Sequence, residues 1–596
     1  MSVLLLLTTL ACRPPTHPAA PPPTGQPRAH PQGQLDAQPE AATGCRTDIV
    51  AEQSAGAMVV SAHPEASRIG AEILRAGGSA VDAAAAMAVA LTLVEPQSSG
   101  IGGGAFLLSY DAETRQISAW DGRETAPAAA SPDQFMADGV ERPWPEVVPG
   151  GLSVGTPGLL RVLEAVHAEA GALPWSELMA PTIALATEGF EVTPRMARSI
   201  RQWENAMDPL RRHPGSLAYF YPGGQALAAG DIRDNPALAA TLAAIARQGA
   251  DAFYTGPIAE HIVAAVQGAT RNPGRLSLDD LRRYTPVRRE ALCLDYRGHR
   301  VCGHPPPTSG GTTVLSILGL LERFDRAALE PGSAEGAHLF AEAVRLAWAD
   351  RDRYLADPAF VDVPVAALLS DPYLAERSAR LDPAQRLRVV EPGLLQTSAV
   401  DAPACPEGAD TTHLVVVDAA GNAVSMTSSI ENAWGSGIWV DGFLLNNQLT
   451  DFARTPERGG VAVANAVQPC KRPRSSMSPT LVLDPDGELE LLVGSPGGSR
   501  IIQYTARVLL DVLDHGSSVQ EAIAHPNLAQ TSQGLELEDD CGTPGWSAAT
   551  VEALIALGHD VVRGSLNSGL HGIQRIDGAW VSGVDPRREG VAIAVP

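Results

Sequence analysis

The chain has 596 residues, 45% hydrophobic and 19% charged, enough for several cores or one large composite core. With 44 basic and 68 acidic residues the net charge is −24, which excludes a phosphate-backbone partner such as nucleic acid and fits an acidic, soluble surface. Local positive groups can still hold an anionic substrate, and 57 Gly with 48 Pro make the architecture loop-rich.

Residues 1–12 form a leader, an apolar run ending in Leu10-Ala11-Cys12 that is too short to span a bilayer. Its end resembles a bacterial lipoprotein signal, although no basic residue precedes it. Export is the expectation, to the periplasm or to a lipid anchor on the bacterial envelope. Residues 13–50 read as a Pro/Ala-rich disordered tether. Six cysteines follow the leader, and their spacing matches no metal motif. Cys293 and Cys302 flank a hairpin turning at Arg297-Gly298. Equal strand lengths put the two opposite each other, as a disulfide or as two buried thiols; export favours the bridge.

Taken in order, Met58–Ser61 is a short strand, and Pro64 to Ala76 a helix with Ala66, Ile69, Ile73 and Leu74 on one face. Val81 to Val94 is a buried, Ala-rich helix stopped by Pro96. The glycine loop 98–104 is either a tight turn or a place where backbone approaches something closely. Ala105–Tyr110 and Gln116–Trp120 form a hairpin ending at Arg123, a surface salt-bridge partner or a carboxylate clamp. Residues 150–290 are mainly helical, with a capping signal at Ser277-Leu-Asp-Asp280 and no catalytic constellation. The Pro305–Gly311 loop opens a second helical region over 312–380. A polar segment over 387–410 reads as an exposed connection, which a self-cleavage site would require.

At Thr411 the period changes from helical to alternating. Thr412 to Asp418 and Ala423 to Ile430 form a hairpin, and Gly435 to Leu445 continues the sheet pattern. Leu481–Leu483 and Leu489–Val493 make another hairpin. Gly494 to Arg500 then leads into a helix over 501–513, a junction whose backbone N–H groups can hold negative charge. An internal Thr-Thr-His before a strand is ordinarily a strand start. It can also become a new N-terminus, with a threonine that carries both a nucleophilic hydroxyl and an α-amino base.

The motifs Gly77–Ala84, Gly102-Gly103-Gly104, Arg123-Glu124, Pro305–Gly311, Thr411-Thr412-His413, Asn446-Asn447-Gln448 with Asp451-Phe452, Lys471-Arg472-Pro473, Ser475–Thr480 and Gly497–Arg500 stand in that order. From about Met58 to Pro596 the chain resembles the gamma-glutamyltransferase (glutathione hydrolase) family of N-terminal nucleophile hydrolases. The resemblance implies an α+β fold, a four-layer αββα sandwich built jointly by two subunits. It implies self-cleavage between Asp410 and Thr411, giving a large subunit over 51–410 and a small catalytic subunit over 411–596. Thr411 then attacks the γ-glutamyl amide of glutathione or a related donor, and water or an acceptor amine of an amino acid or peptide resolves the ester. No metal or cofactor is implied.

By the same resemblance Ser429 hydrogen-bonds the Thr411 hydroxyl, and the Gly497 and Gly498 amides form the oxyanion hole. The donor α-carboxylate sits on Arg123, Ser475 and Ser476, and the α-ammonium meets Gln448, Asp451 and Glu431. Glu431 departs from the commonest pattern, where Asn stands, and a carboxylate suits an ammonium. Residues 453–474 match a lid loop, here short and without aromatics, which implies an open site tolerant of larger donors. Two rival readings stand beside this one: a glutaryl or cephalosporin-type acylase on the same scaffold, and an uncleaved periplasmic binding or structural protein.

Overall fold

The strand that follows Thr411 is apolar on both of its faces, and that decides the layering. Along Thr412–Val417, Val415 and Val417 join one buried cluster while Leu414 and Val416 join another. A strand with period-2 side chains can be buried on both faces only when it is the inside of a sheet with a layer on each side. The computed structural model describes residues 28–29, 43–203, 208–395, 410–458 and 460–596. The expected leader, most of the tether and most of the segment before Asp410 lie outside the described residues.

Two seven-stranded antiparallel sheets stack on each other. The first runs Val287–Glu290, Gln116–Gly122, Gly104–Asp111, Ala423–Ser429, Thr412–Val417, Ala57–Ser61, Val591–Val595. The second runs Leu292–Tyr296, His299–Gly303, Thr480–Leu483, Leu489–Gly494, His571–Ile576, Ala579–Val584, Gln53–Ser54. Met58, Val60, Leu108, Val415, Leu481, Leu492 and Ile573 fill the space between them. Helices Pro64–Arg75 and Ala80–Val94 cover the first sheet. Helices Gly310–Leu321, Ala334–Tyr354 and Ile501–His515 cover the second. This is the four-layer αββα sandwich. Strands from before and after Thr411 pair with one another in both sheets, so a cut at that residue leaves both sheets whole.

Ala80–Val94 is buried at all 15 positions, and its start is fixed by charge rather than by surface contacts. Ser79 and Asp82 form a capping box, and Asp82 Oδ2 also accepts from Ala172 N (2.8 Å) and Leu173 N (3.0 Å). The Ser277–Asp280 signal is likewise a capping box. The glycine loop resolves to close backbone approach: a Cβ on Gly102 would sit 2.1 Å from Leu444 O, and one on Gly103 would sit 2.2 Å from Ser429 O. Glu124 is fully buried beside Gly104, and its carboxylate makes no hydrogen bond within 3.5 Å, with the Arg123 guanidinium 3.8 Å away. Burial pushes its carboxyl up to about 8, with nearby Arg123 offsetting only part of that cost.

Four expectations change. Gly435–Leu445 does not extend the main sheets. It folds as a separate hairpin, Trp439–Val440 against Phe443–Leu444, because Gly435, Gly437 and Gly442 take positive φ and Trp439 and Phe443 pack on Tyr219 and Phe253. Residues 150–290 are helical but hold Arg195, a charged group at the junction described below. The exposed connection ends in a buried peptide. Leu394 is 91% exposed, yet Asp410 and Thr411 are 4% and 3% exposed. Attack by the adjacent hydroxyl needs no access from outside. The tether expected over 13–50 is bonded at its end: Thr43 N donates to Arg587 O and Arg46 N to Pro586 O, both at 3.0 Å, and Gln53–Ser54 adds an edge strand. Arg28–Ala29 also pairs alongside Val562–Arg563.

Cys293 and Cys302 face each other in register and are bridged, with Arg297 and Gly298 both at positive φ in the turn. A second disulfide joins Cys45 to Cys541, across 496 residues and across the expected cleavage point. After cleavage the two fragments should therefore migrate as one species near the full mass on a non-reducing gel and as two under reduction; two species without reductant would show that the bridge is absent. Glu124 gives a second expectation. Its folded pKa lies above its unfolded value, so its contribution to stability is complete below about pH 4.5 and is lost as pH rises through about 8. Relative to the parent, Glu124→Gln should therefore gain unfolding midpoint as pH rises from about 4.5 to about 8 and level off above that, and a pH-independent difference would contradict a neutral Glu124.

Candidate active site

The site begins where two hairpin strands of the first sheet meet. Thr411 directly precedes Thr412–Val417, and Ser429 ends the partner strand Ala423–Ser429. Register therefore brings their hydroxyls together. Thr411 Oγ1 lies 2.6 Å from the Asp410 carbonyl oxygen and 3.2 Å from Ser429 Oγ. Ser429 Oγ in turn lies 3.1 Å from the same carbonyl oxygen and accepts from Glu431 N at 2.8 Å. With the Glu431 amide donated to it, the Ser429 hydroxyl is oriented to give its own proton to that carbonyl. Negative charge developing on the Asp410 oxygen would meet a donor already in place.

A small polar cavity opens on Thr411. Arg123, Ser429, Glu431, Gln448, Asp451, Ser475, Ser476, Met477, Gly498 and Ile501 line it with Thr411. It gathers residues from across the chain that the sequence reading assigned to the site. Gly497 is adjacent in sequence but not on the lining, and Asp410 lies on the other side of Thr411. Gly497 and Gly498 take φ of 130° and 58°, a conformation that favours glycine, just before helix Ile501–His515. Among the described residues no protein acceptor takes either amide.

Arg123 is held behind the cavity by its own shell. Nη2 donates to Asp451 Oδ2 at 2.5 Å and to Arg474 O at 2.8 Å, and Nε donates to Pro473 O at 3.1 Å. Nη1 has no hydrogen-bond partner and lies 3.8 Å from Glu124 Oε2. Gln448 Nε2 donates to Asp451 Oδ2 at 2.9 Å, leaving Gln448 Oε1 without a partner. Glu431, at φ 81°, bonds Asn447 Nδ2. The cavity thus carries a cation, two carboxylates and unmatched donor and acceptor atoms, the complement of a small zwitterion.

Residues outside the predicted set complete the shell. Arg351 Nη2 donates to Ser476 Oγ at 2.8 Å, and Arg351 Nε donates to Ser309 Oγ at 2.8 Å. Ser309 N and Oγ both donate to Ser475 O, at 2.7 and 2.6 Å, so the Pro305–Gly311 loop fixes the two serines. Arg588 Nη1 donates to Thr411 O at 3.3 Å. The expected lid over 453–474 contributes no lining residue to the cavity among its described residues. It is stitched down behind Arg123: Asn465 Nδ2 donates to Asp451 O (2.7 Å), and Lys471 donates to Ala464 O (2.6 Å) and Ala466 O (3.1 Å). Burial pulls the Lys471 ammonium down to about 8. His413, two residues from the nucleophile, bonds Thr427 Oγ1 at 2.9 Å and is kept neutral by burial. Among the described residues no cluster of three or more His, Cys, Asp or Glu side chains is placed to hold a metal ion.

Known proteins are similar to this chain over most of its length. Residues 66–595 match the family model for gamma-glutamyltranspeptidase. A glutathione hydrolase proenzyme from Bacillus subtilis is 36% identical over 554 residues, covering 90% of this chain and 91% of that protein. The acylase ACY 1 proenzyme from a Pseudomonas species is 36% identical over 550 residues, 90% of this chain and 93% of that one. The crystal structure of cephalosporin acylase from Bacillus halodurans superposes with a TM-score of 0.82 at 28% identity, covering 92% of this chain and 97% of that one. The chain belongs to the gamma-glutamyltranspeptidase family.

Proposed function

We propose that the protein is a self-cleaving γ-glutamyl hydrolase and transpeptidase acting on glutathione and related donors. The observation that carries this is the Thr411 hydroxyl, 2.6 Å from the carbonyl oxygen of its own preceding residue, at the mouth of a cavity charged for an amino-acid head group. Cleavage before Thr411 frees an α-amine whose ordinary pKa near 8 makes it a usable base at neutral pH. Thr411 Oγ attacks the donor γ-carbonyl, and the amine takes its proton and passes it to the donor nitrogen, which departs as a free amine when the amide bond breaks. The Gly497 and Gly498 amides receive the oxyanion, a type of stabilisation worth roughly 3–4 kcal/mol. Water or an acceptor amine then releases the γ-glutamyl group. The donor α-carboxylate is assigned to Arg123, Ser475 and Ser476, and its α-ammonium to Gln448, Asp451 and Glu431. Two disulfides support an oxidising compartment, and with it the exported location.

An acylase reading has its own support in the similarity to the Pseudomonas and Bacillus halodurans acylases. The carboxylates of Glu431 and Asp451 on the cavity wall favour the γ-glutamyl donor, because a glutaryl group brings no ammonium to meet them. Parallel assays on γ-glutamyl-p-nitroanilide and glutaryl-p-nitroanilide separate the two. The γ-glutamyl compound should be favoured by about tenfold or more in kcat/KM, the worth of one charge-assisted bond; equal or better cleavage of the glutaryl compound would make the protein an acylase. Thr411→Ala should lose both chain cleavage and all turnover.

A further inference from the structure

Arg195 is far from Thr411 in sequence and outside the cavity, yet it grips the residue before the cleavage point. Thr193 caps helix Pro194–Gln202, which fixes Arg195 in the first turn, and Arg195 N donates to Glu589 Oε1 at 2.8 Å. Its guanidinium reaches inward. Nη1 pairs with Glu95, and Nη2 donates to Ser98 Oγ at 3.0 Å and to Asp410 Oδ1 at 2.9 Å. Ser98 Oγ also donates to Asp410 Oδ1, at 3.2 Å. Arg195, Glu95, Ser98 and Asp410 are all buried. The Ser98 carbonyl accepts from Ile430 N at 3.3 Å, which ties this knot to the residue after Ser429.

The peptide between Asp410 and Thr411 is thus fixed on both sides by guanidinium groups. Arg195 holds the Asp410 side chain, Arg588 holds the Thr411 carbonyl, and Ser429 sits on the Asp410 carbonyl oxygen between them. We propose that Arg195 is a positioning residue for self-cleavage, anchoring the Asp410 carboxylate so that its carbonyl carbon stays within reach of Thr411 Oγ. This rests on the self-cleavage reading above. In that step Oγ bonds to the Asp410 carbonyl carbon, and the bond to Thr411 N breaks. The hydroxyl proton passes to the departing nitrogen. Water then splits the ester, giving a carboxylic acid on Asp410 and restoring the Thr411 hydroxyl. Arg195 touches none of the atoms that change bonds. It acts by restricting the acyl side of the peptide to the reactive geometry.

The test follows the appearance of the two fragments on reducing gels after cell-free synthesis of the full chain under oxidising conditions. The parent should split and Thr411→Ala should stay whole. Asp410→Asn, nearly isosteric, should split about tenfold more slowly, the loss of one buried charge-assisted contact. Arg195→Met should be at least as slow, Arg195→Lys should recover most of the parent rate, and Asp410→Asn with Arg195→Met should be no slower than the slower single variant. Recovery by Lys but not by Met separates the role of the charge from that of bulk. Cleavage of Asp410→Asn at the parent rate, or of a folded Arg195→Met at that rate, would overturn the role of Arg195. A folded parent that never splits would overturn the self-cleavage reading itself and this proposal with it.

Discussion

The ion pair between Arg123 and Asp451 organises the active site, because it is a charged contact with almost no water. Arg123 is wholly buried and Asp451 nearly so, at a separation of 2.5 Å. Removing one member of such a pair costs about 3–5 kcal/mol, since the other is left as an uncompensated charge. The surroundings are therefore committed to it. The Pro473 and Arg474 carbonyls complete the guanidinium, and Asn465 holds the Asp451 backbone. The loop over 453–474 is consequently packed against the back of this pair. The two partners also come from opposite sides of Thr411 in the sequence, so the donor pocket exists only where both parts of the chain are folded together.

A second constraint is the closeness of backbone around Ser429. Gly103 leaves no room for a Cβ against the Ser429 carbonyl, and Gly102 leaves none against Leu444. These contacts fix the end of the strand whose hydroxyl sits on the Asp410 carbonyl. A methyl group there would have to move backbone by about an ångström, and a shift on that scale is enough to disable a positioned hydroxyl. Packing and chemistry meet at this point: the glycines are needed for the geometry of a residue they never touch through a side chain.

Much of this was legible in the sequence, because it is written locally. The strand after Thr411, the Cys293–Cys302 hairpin and the Ser277 cap depend on residues a few positions apart, although the alternation expected of that strand gives way to burial on both faces. The pocket residues were legible in a different way, through the resemblance of short motifs to a family, and the fold brings all but Gly497 of the cavity set onto one lining. Arg195, Arg351 and Arg588 were not legible. Their contacts span 215, 125 and 177 residues, and an isolated arginine carries no periodic signal. The burial of Asp410 was hidden for the same reason, since a polar, Pro-containing approach reads as surface until its distant partners are placed. The Gly435–Leu445 pattern misled because alternation alone does not say which neighbour a strand will find.

The Cys45–Cys541 bridge has a topological side. Before any cut, it closes most of the chain into a covalent ring, and a ring opened once is still a single molecule. Unfolding the cut protein then releases one branched, covalently joined molecule and not two separate ones, so refolding stays a first-order search in which the partner is never lost to dilution. A two-piece enzyme built in this way keeps the thermodynamics of a monomer. Its stability is set by its own contacts and is independent of how much of it is present.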